Sequence, residues 1–417
     1  MSRNVPKLRF KGFEDVWKEY RLGDFLDFYS TNSLSRDCLN SEDGEVQNIH
    51  YGDIHMKFPT ILDIQKYDLP FINSDIDISK IKDDSFCRDG DIVIADASEN
   101  YDDIGKSIEV ENISNNKVVA GLHTILCRDN KNMTANGFKG YMLSNEYIRK
   151  QIKVLAVGTK VLGISKTNLS TIKANMPSLQ EQEKIANFLS KVDSIIEKQE
   201  KKVEYWNLYK KGMMQKIFSQ KIRFKDKNGR DYPEWEEEKL GDYIIQYDEI
   251  TTENNQYEAL TSSRKGLFLR KDYFNKQIAS EDNTGYNIVP RGYFTYRHMS
   301  DDSIFHFNIN NLIDFGIVST LYPVFTTNEN MNSIFLRYYL NEGPEFKKYC
   351  LLQKQGGSRT YMYLKKLKEF KGNIPSLDEQ IKIANFLSNT GNIIDKESEK
   401  LEELKQWKKG LLQQMFV

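Results

Sequence analysis

The sequence predicts an α+β fold built twice: two strand-rich domains joined by two long antiparallel coiled-coil helices, with an internal pseudo-twofold repeat. Three observations predict it. A segment of about forty residues with helical apolar spacing is written twice. A matching lead-in opens each half. Between lead-in and helix lie short β-like runs bounded by turn residues.

The repeated segment is PSLQEQEKIANFLSKVDSIIEKQEKKVEYWNLYKKGMMQKIFS at 177–219 and PSLDEQIKIANFLSNTGNIIDKESEKLEELKQWKKGLLQQMFV at 375–417. The copies align without a gap, and about half of their positions are identical. In the first, Ile185, Leu189, Val192, Ile196, Val203, Trp206, Met213 and Ile217 follow three- and four-residue steps, a coiled-coil seam. In the second, Ile383, Leu387, Ile394, Leu401, Leu404, Leu411 and Met415 do the same. Proline then serine suits each helix start, and no breaker follows until Gly212 or Gly410. Such a helix rises about 60 Å, so each copy is a strut. Polar residues interrupt both seams at matching places, Gln199 with Glu397 and Lys210 with Lys408. Polar seam positions fix register, and we expect the struts to pack antiparallel within one chain with Gln199 and Glu397 near the middle. The pattern also fits helices that each seek a partner in another chain.

The repeat is larger than the strut. LRFKGF from Leu8 leads to Trp17 and then Leu22-Gly23-Asp24, while IRFKDK from Ile222 leads to Trp235 and then Leu240-Gly241-Asp242. In the first body, strand-like runs lie at 92–95, 117–120 and 123–126. In the second they lie at 266–269, 292–296, 316–318 and 321–325. Amphipathic helices are expected at 141–152 and 332–351. The bodies have diverged from each other further than the struts have, so one frame presents two surfaces.

Composition bounds the function. The 417 residues are 39% hydrophobic and 29% charged, as in globular proteins with full cores. No apolar run nears the length of a membrane span, and MSRNVPKLRF lacks the apolar stretch of a secretion signal, so a cytoplasmic location is expected. Cys38, Cys87, Cys127 and Cys350 have neither metal nor disulfide spacing and read as reduced thiols. His50, His55, His123, His298 and His306 have no zinc spacing and no nucleophile elbow nearby, which leaves them structural or surface roles. There is no Asn/Asp-Pro-Pro-aromatic segment, no glycine-rich cofactor loop and no P-loop lysine motif, and no catalytic or metal-binding residue is assigned. The balance of 59 basic to 60 acidic residues gives no bulk signal for nucleic acid, although local patches can still supply one.

What remains is binding. Between Thr261 and Ser300 the second body interleaves Arg264, Lys265, Arg270, Lys271, Lys276, Arg291 and Arg297 with Tyr273, Tyr286, Tyr293 and Tyr296. Arginine and lysine hold phosphates or guanine edges while hydroxyls fix register, so Ser262, Ser263, Arg264, Lys265, Arg270, Arg291, Tyr296 and Arg297 are DNA-binding candidates. An ordinary solvated loop has the same composition. The first body offers fewer: Lys57 at the end of the stretch 51–57, Ser98, Asn100 and Lys106. Before each strut a glycine hook carries a cation, Gly158-Thr159-Lys160 and Gly356-Gly357-Ser358-Arg359. Lys160 and Arg359 there are either phosphate contacts or parts of plain connecting loops.

The doubled IPSL-x-EQ-x-KIANFL strut with its KKGLLQQMF ending, the paired W-x4-LGD lead-ins, and the phrases TSSRKGLFLRKDYF and YRHMSDD resemble the specificity subunit of type I restriction-modification enzymes, over essentially the whole chain. The resemblance implies two target-recognition domains, at 1–176 and 221–374, each reading one half of a split double-stranded DNA site. It implies spacer helices at 177–220 and 375–417 that set the gap between the halves. It also implies a chain that is itself not catalytic and binds no cofactor. Two modification (methyltransferase) subunits carrying S-adenosylmethionine would assemble around it, with restriction subunits that use ATP and Mg. Polar strut residues that match off the seam, Gln182 with Gln380, Asn187 with Asn385 and Lys211 with Lys409, would then be partner-binding; recent duplication would produce the same matches. The rival class is a two-helix adaptor whose domains bind other proteins.

Overall fold

The computed structural model describes residues 4–273, 282–354 and 359–417. Lys276 and the Gly356-Gly357-Ser358 hook fall outside them. The chain forms two compact units, Met1–Glu200 with Glu399–Val417, and Lys201–Ser398. Each unit therefore takes half of each strut, a division by packing that cuts across the four-part division read from the sequence.

In the first unit a five-stranded sheet runs Asp27–Tyr29, Thr124–Arg128, Ile92–Ala95, Ser107–Glu111, Ile61–Asp63. A four-stranded sheet runs Val118–Ala120, Gln47–Ile49, Phe71–Ile72, Leu39–Asn40. Side chains alternate across a strand. Ile92, Ile94, Ile125 and Cys127 accordingly face a core shared with the struts, while Val93, Ala95 and Leu126 face a second core with Ile49, Ile54 and Val118. Both faces are covered, which is why the run Ile92–Ala95 is apolar at every position.

The second unit has two four-stranded sheets. One runs Ile244–Gln246, Val324–Thr327, Phe294–Thr295, Asn308–Ile309; the other runs Gly266–Leu269, Glu258–Ser263, Phe315–Val318, Asn287–Pro290. Its main core is aromatic, with Phe294 stacked on Phe325 at 4.6 Å and Tyr296 tilted against Phe307 at 4.4 Å. The two helices expected at 141–152 and 332–351 are each broken. The first divides into Phe138–Ser144 and Glu146–Leu155, because Asn145 is extended and its side chain accepts the Ile148 N–H as a cap. The second divides into Ser333–Glu342 and Pro344–Leu352, with Gly343 extended and Pro344 opening the new helix.

The struts are the helices Leu179–Phe218 and Leu377–Met415. Within the first unit, Glu200 pairs with Lys405 at 2.7 Å and Asp193 with Lys408 at 2.5 Å. Within the second, Lys202 pairs with Glu397 at 2.6 Å and Tyr209 meets Phe386 at 6.4 Å. In each unit the partner number falls as the other rises, so the helices are antiparallel within one chain. Gln199 is buried, as a polar seam residue should be.

The duplicated motifs have mechanical explanations. Glu181 and Glu379, of the EQ in each strut's first turn, are buried and held by the arginine of the lead-in: Arg9 to Glu181 at 2.7 and 2.8 Å, Arg223 to Glu379 at 2.9 Å. In each LGD the leucine is fully buried, and a Cβ on the glycine would lie 2.9 Å from Ser170 Cβ or 2.8 Å from the Lys368 carbonyl oxygen. The glycine lets this turn touch the helix before the strut. The final phenylalanine of one strut packs in the first unit, Phe416 against Trp17 and Phe138. That of the other packs in the second, Phe218 against Phe335 and Tyr339.

Candidate nucleic-acid interface

Each body carries a short antiparallel ribbon at the same place in its chain order. In the first body Ala97–Ser98 pairs with Leu162–Gly163; in the second Met299–Ser300 pairs with Thr360–Tyr361. The registers correspond: Ser98 faces Leu162 as Ser300 faces Thr360. Both serines turn their hydroxyl onto the residue two positions on, Ser98 Oγ to the Asn100 carbonyl at 3.0 Å and Ser300 Oγ to Asp302 Oδ1 at 2.8 Å. Asn100 and Asp302 then accept from the backbone two residues further, at 2.8 Å from Asp102 N and 3.2 Å from Ile304 N. One frame thus underlies two surfaces whose side chains differ.

Sequence candidates from distant parts of the first body meet at its ribbon. The helix Tyr51–Met56 packs beside it, with His55 Nε2 at 3.1 Å from the Ala97 carbonyl. Lys106 donates to the His55 carbonyl at 2.7 Å, and the turn with exposed Lys160 connects directly to Leu162–Gly163. Lys106 is half-buried and spent on that bond, and its burial lowers its pKa. Ser98 is buried, so it shapes the turn rather than offering a contact, while Asn100 is exposed beside it. Lys57 is exposed and lies 3.6 Å from Asp53.

The candidate stretch 51–57 supplies Tyr51 and His55 to a ring cluster at this face that the sequence did not reveal as a cluster. Tyr51 lies 4.7 Å from His50, 6.0 Å from His55 and 5.4 Å from His123. His123 also sits 3.5 Å from Asp96, whose pKa is raised by burial despite the imidazole. Burial, with Arg36 second, lowers the pKa of His50. His50, Tyr51 and His55 are near neighbours in sequence, but no spacing signal links them to His123.

In the second body Ser262, Ser263, Arg264, Lys265 and Arg297 line one depression of about 380 Å³ beside Ser300 and Asp301. Arg264 Nη2 reaches both oxygens of Asp302 at 2.6 and 2.7 Å, which with Ser300 pulls that carboxyl down to about 2. Arg359 Nε is 2.9 Å from Asp301. Arg297 and Lys265 are exposed and have no ion-pair partner among the described residues. Three candidates change role. Tyr296 is fully buried and donates to the Met362 carbonyl at 2.8 Å, because its strand turns it into the aromatic core. Ser262 is buried under Asn308, whose amide donates to it at 2.8 Å. Arg270 is half-buried, with its Nε enclosed and unpaired. Arg291 lies outside the depression, bonded to Asp314 at 2.9 Å and to the Asn311 carbonyl at 2.8 Å. Tyr361 and Tyr363, which sequence reasoning passed over, stack at 5.8 Å beside His298 at the ribbon.

On the struts, Asn187, Asn385, Lys211 and Lys409 are exposed. Gln182 and Gln380 are not. Gln182 accepts from Ala135 N at 2.9 Å and donates to the Met133 and Pro177 carbonyls. Gln380 does the same with Asn332 N at 2.9 Å and the Asn330 and Pro375 carbonyls. At 1% exposure each, they are internal clamps between strut and body, and their match needs no partner to explain it. Among the described residues no helix is long and apolar enough to cross a membrane.

A doubled frame with divergent hydroxyl-, amide- and cation-bearing faces, mounted on two copies of one helix, defines a class: a two-headed recognition scaffold. The particular family follows from comparison with known proteins. The model of the type I restriction modification DNA specificity domain matches residues 14–205 and again 215–406, and the chain belongs to that family, with one copy of the domain in each half. The type I restriction enzyme MjaVIII specificity subunit of Methanocaldococcus jannaschii is 27% identical over 301 residues, 66% of this chain and 67% of that one. The putative MjaX specificity subunit of the same organism is 26% identical over 315 residues, 70% of each chain. Among solved structures, the type I restriction-modification S subunit from M. genitalium covers 99% of both chains at TM-score 0.55 and 15% identity. A chain from a structure describing complex assembly and conformational transition of the type I R-M system covers 97% of this chain and 98% of its own at TM-score 0.54 and 15% identity. These two likenesses concern the fold.

Proposed function

We propose that this chain is the non-catalytic DNA sequence-recognition subunit of a type I restriction-modification complex. The family domain occurring once in each half carries the reading: two copies read two half-sites. Each body meets duplex DNA at its ribbon face, through Lys57, Asn100 and Lys160 in the first and Ser263, Arg264, Lys265, Arg297 and Arg359 in the second. Phosphate contacts position each head, and side chains in the groove read base edges. The struts set the unread gap, and their exposed matching residues Asn187, Asn385, Lys211 and Lys409 dock two modification subunits. S-adenosylmethionine, ATP and magnesium belong to the modification and restriction subunits. The complex works in the cytoplasm.

Strut length tests this reading. Four residues inserted at equivalent points of both struts add about 6 Å, so the gap in the methylated motif should widen by about one to two base pairs at the 3.4 Å spacing of a strand. Methylome sequencing of cells carrying the variant reads the outcome. Altered half-sites, or an unchanged gap with methylation intact, would overturn it.

A further inference from the structure

Each unit has a cleft between its body and its struts, and at one equivalent strut position the first cleft has a carboxylate that the second lacks. In the first unit Lys408 lies over the Tyr141 ring at 5.6 Å, the Tyr141 hydroxyl donates to Asp193 at 2.8 Å, and Lys408 pairs with Asp193 at 2.5 Å. Lysine, phenol and carboxylate close a triangle. In the second unit Lys210 takes the place of Lys408 and lies over the Tyr338 ring at 5.2 Å. Gly391 takes the place of Asp193, and a Cβ built on it would lie 3.1 Å from Lys210 Nζ and 3.9 Å from the Tyr338 hydroxyl. The cation and the phenol of the triangle are both kept, and the acid is replaced by glycine.

A further cation is added. Arg337 lies 4.8 Å from the same Tyr338 ring, so two positive groups share one phenol. Neither is ion-paired among the described residues, although Asp395 also lines the cleft. Like charges gathered in this way repel unless an anion lies between them. Asn207, Asn311 and Asn392 add amide donors to a cavity of about 540 Å³, ample for a phosphate group. Arg291, bonded to the Asn311 carbonyl at the rim, is itself paired with Asp314 and adds no uncompensated charge.

We propose that this cleft binds a backbone phosphate of duplex DNA, its oxygens accepting from Lys210, Arg337 and the Tyr338 hydroxyl where the first unit has the carboxylate of Asp193. The proposal rests on the DNA-recognition reading and adds a contact that carries no sequence information. The first unit's cleft closes its triangle internally, so the phosphate contact belongs to the second unit alone.

The test uses the chain assembled with its modification subunits and a duplex carrying the motif methylated in cells. Each phosphate contact contributes about −0.9 to the slope of log K against log salt. Lys210→Gln with Arg337→Gln should make the slope shallower by about one and weaken binding roughly fivefold near physiological salt, with the methylated motif unchanged. Gly391→Asp is the second variant. It restores the carboxylate, pairs Lys210 internally and replaces a helix-weakening glycine, so it should weaken DNA binding while thermal stability is kept or raised. Wild-type slope and affinity in both variants overturn the proposal, as does a loss of modification-subunit assembly with the DNA slope unmoved, which would show the cleft holding a partner's carboxylate. A wild-type complex without salt-dependent duplex binding overturns the recognition reading itself, and this proposal with it.

Discussion

Replacing Arg223 by methionine should cost the second unit about 3 kcal/mol, toward the low end for breaking a buried ion pair. Glu379 has no exposed surface and accepts from Arg223 Nη2 at 2.9 Å and from Trp235 Nε1 at 3.1 Å. Without Arg223, a buried carboxylate keeps only the indole as a charge-stabilising side chain. The Arg223 side chain is 18% exposed, so water can reach part of the site and the cost stays near 3 rather than 5 kcal/mol. For a unit of this size that corresponds to a fall in Tm of about 6–12 °C. Adding Glu379→Gln removes the stranded charge while leaving an acceptor for Trp235, and should restore about 2 kcal/mol. The two substitutions are therefore coupled, not additive. Urea unfolding of the full chain, followed by tryptophan fluorescence and far-UV circular dichroism together, measures both, provided the two signals coincide. A cost under about 1 kcal/mol for Arg223→Met, or a double variant as unstable as the sum of the singles, would refute the clamp.

Two other outcomes follow from the same geometry. Phe416→Ala empties a site between Trp17 and Phe138 and should destabilise the first unit by about 3 kcal/mol, measured by the same unfolding experiment; a change within experimental error would mean the strut's end does not belong to that core. Asp302 should titrate near 2 in an NMR titration, held down first by Arg264 and then by Ser300. Its folded value lies below the unfolded value of about 3.9, so its contribution to stability is present above that value and lost as pH falls through about 2. The pair is exposed and the contribution small. Arg264→Met should move the titration toward the ordinary carboxylate range, and an Asp302 already titrating there in the unchanged protein would contradict the pairing.

The two glutamines of the strut motifs show how sequence and structure divide the work. Their match was legible, and the seam residues around them, such as Ile185 and Leu189, were legible as core. That Gln182 and Gln380 point inward to bind loop carbonyls was not, because a polar residue beside an apolar stripe has the same spacing whether it faces water or a neighbouring loop. Tyr296 misled in the opposite sense. It sits among basic residues in sequence, yet its strand places it under Phe307 and Phe325.

The chain by itself determined the duplication, the two long helices and the strand-rich bodies between them. Each of these is written in local periodicity or in repeated phrases, which survive without knowledge of the partner surface. Only the tertiary structure decided that Ala97–Ser98 and Met299–Ser300 form equivalent ribbons, that each compact unit takes half of each strut, and that Gly391 stands where Asp193 closes a triangle. Those facts depend on which distant residues packing brings within a few ångströms, and a linear pattern carries no such distances.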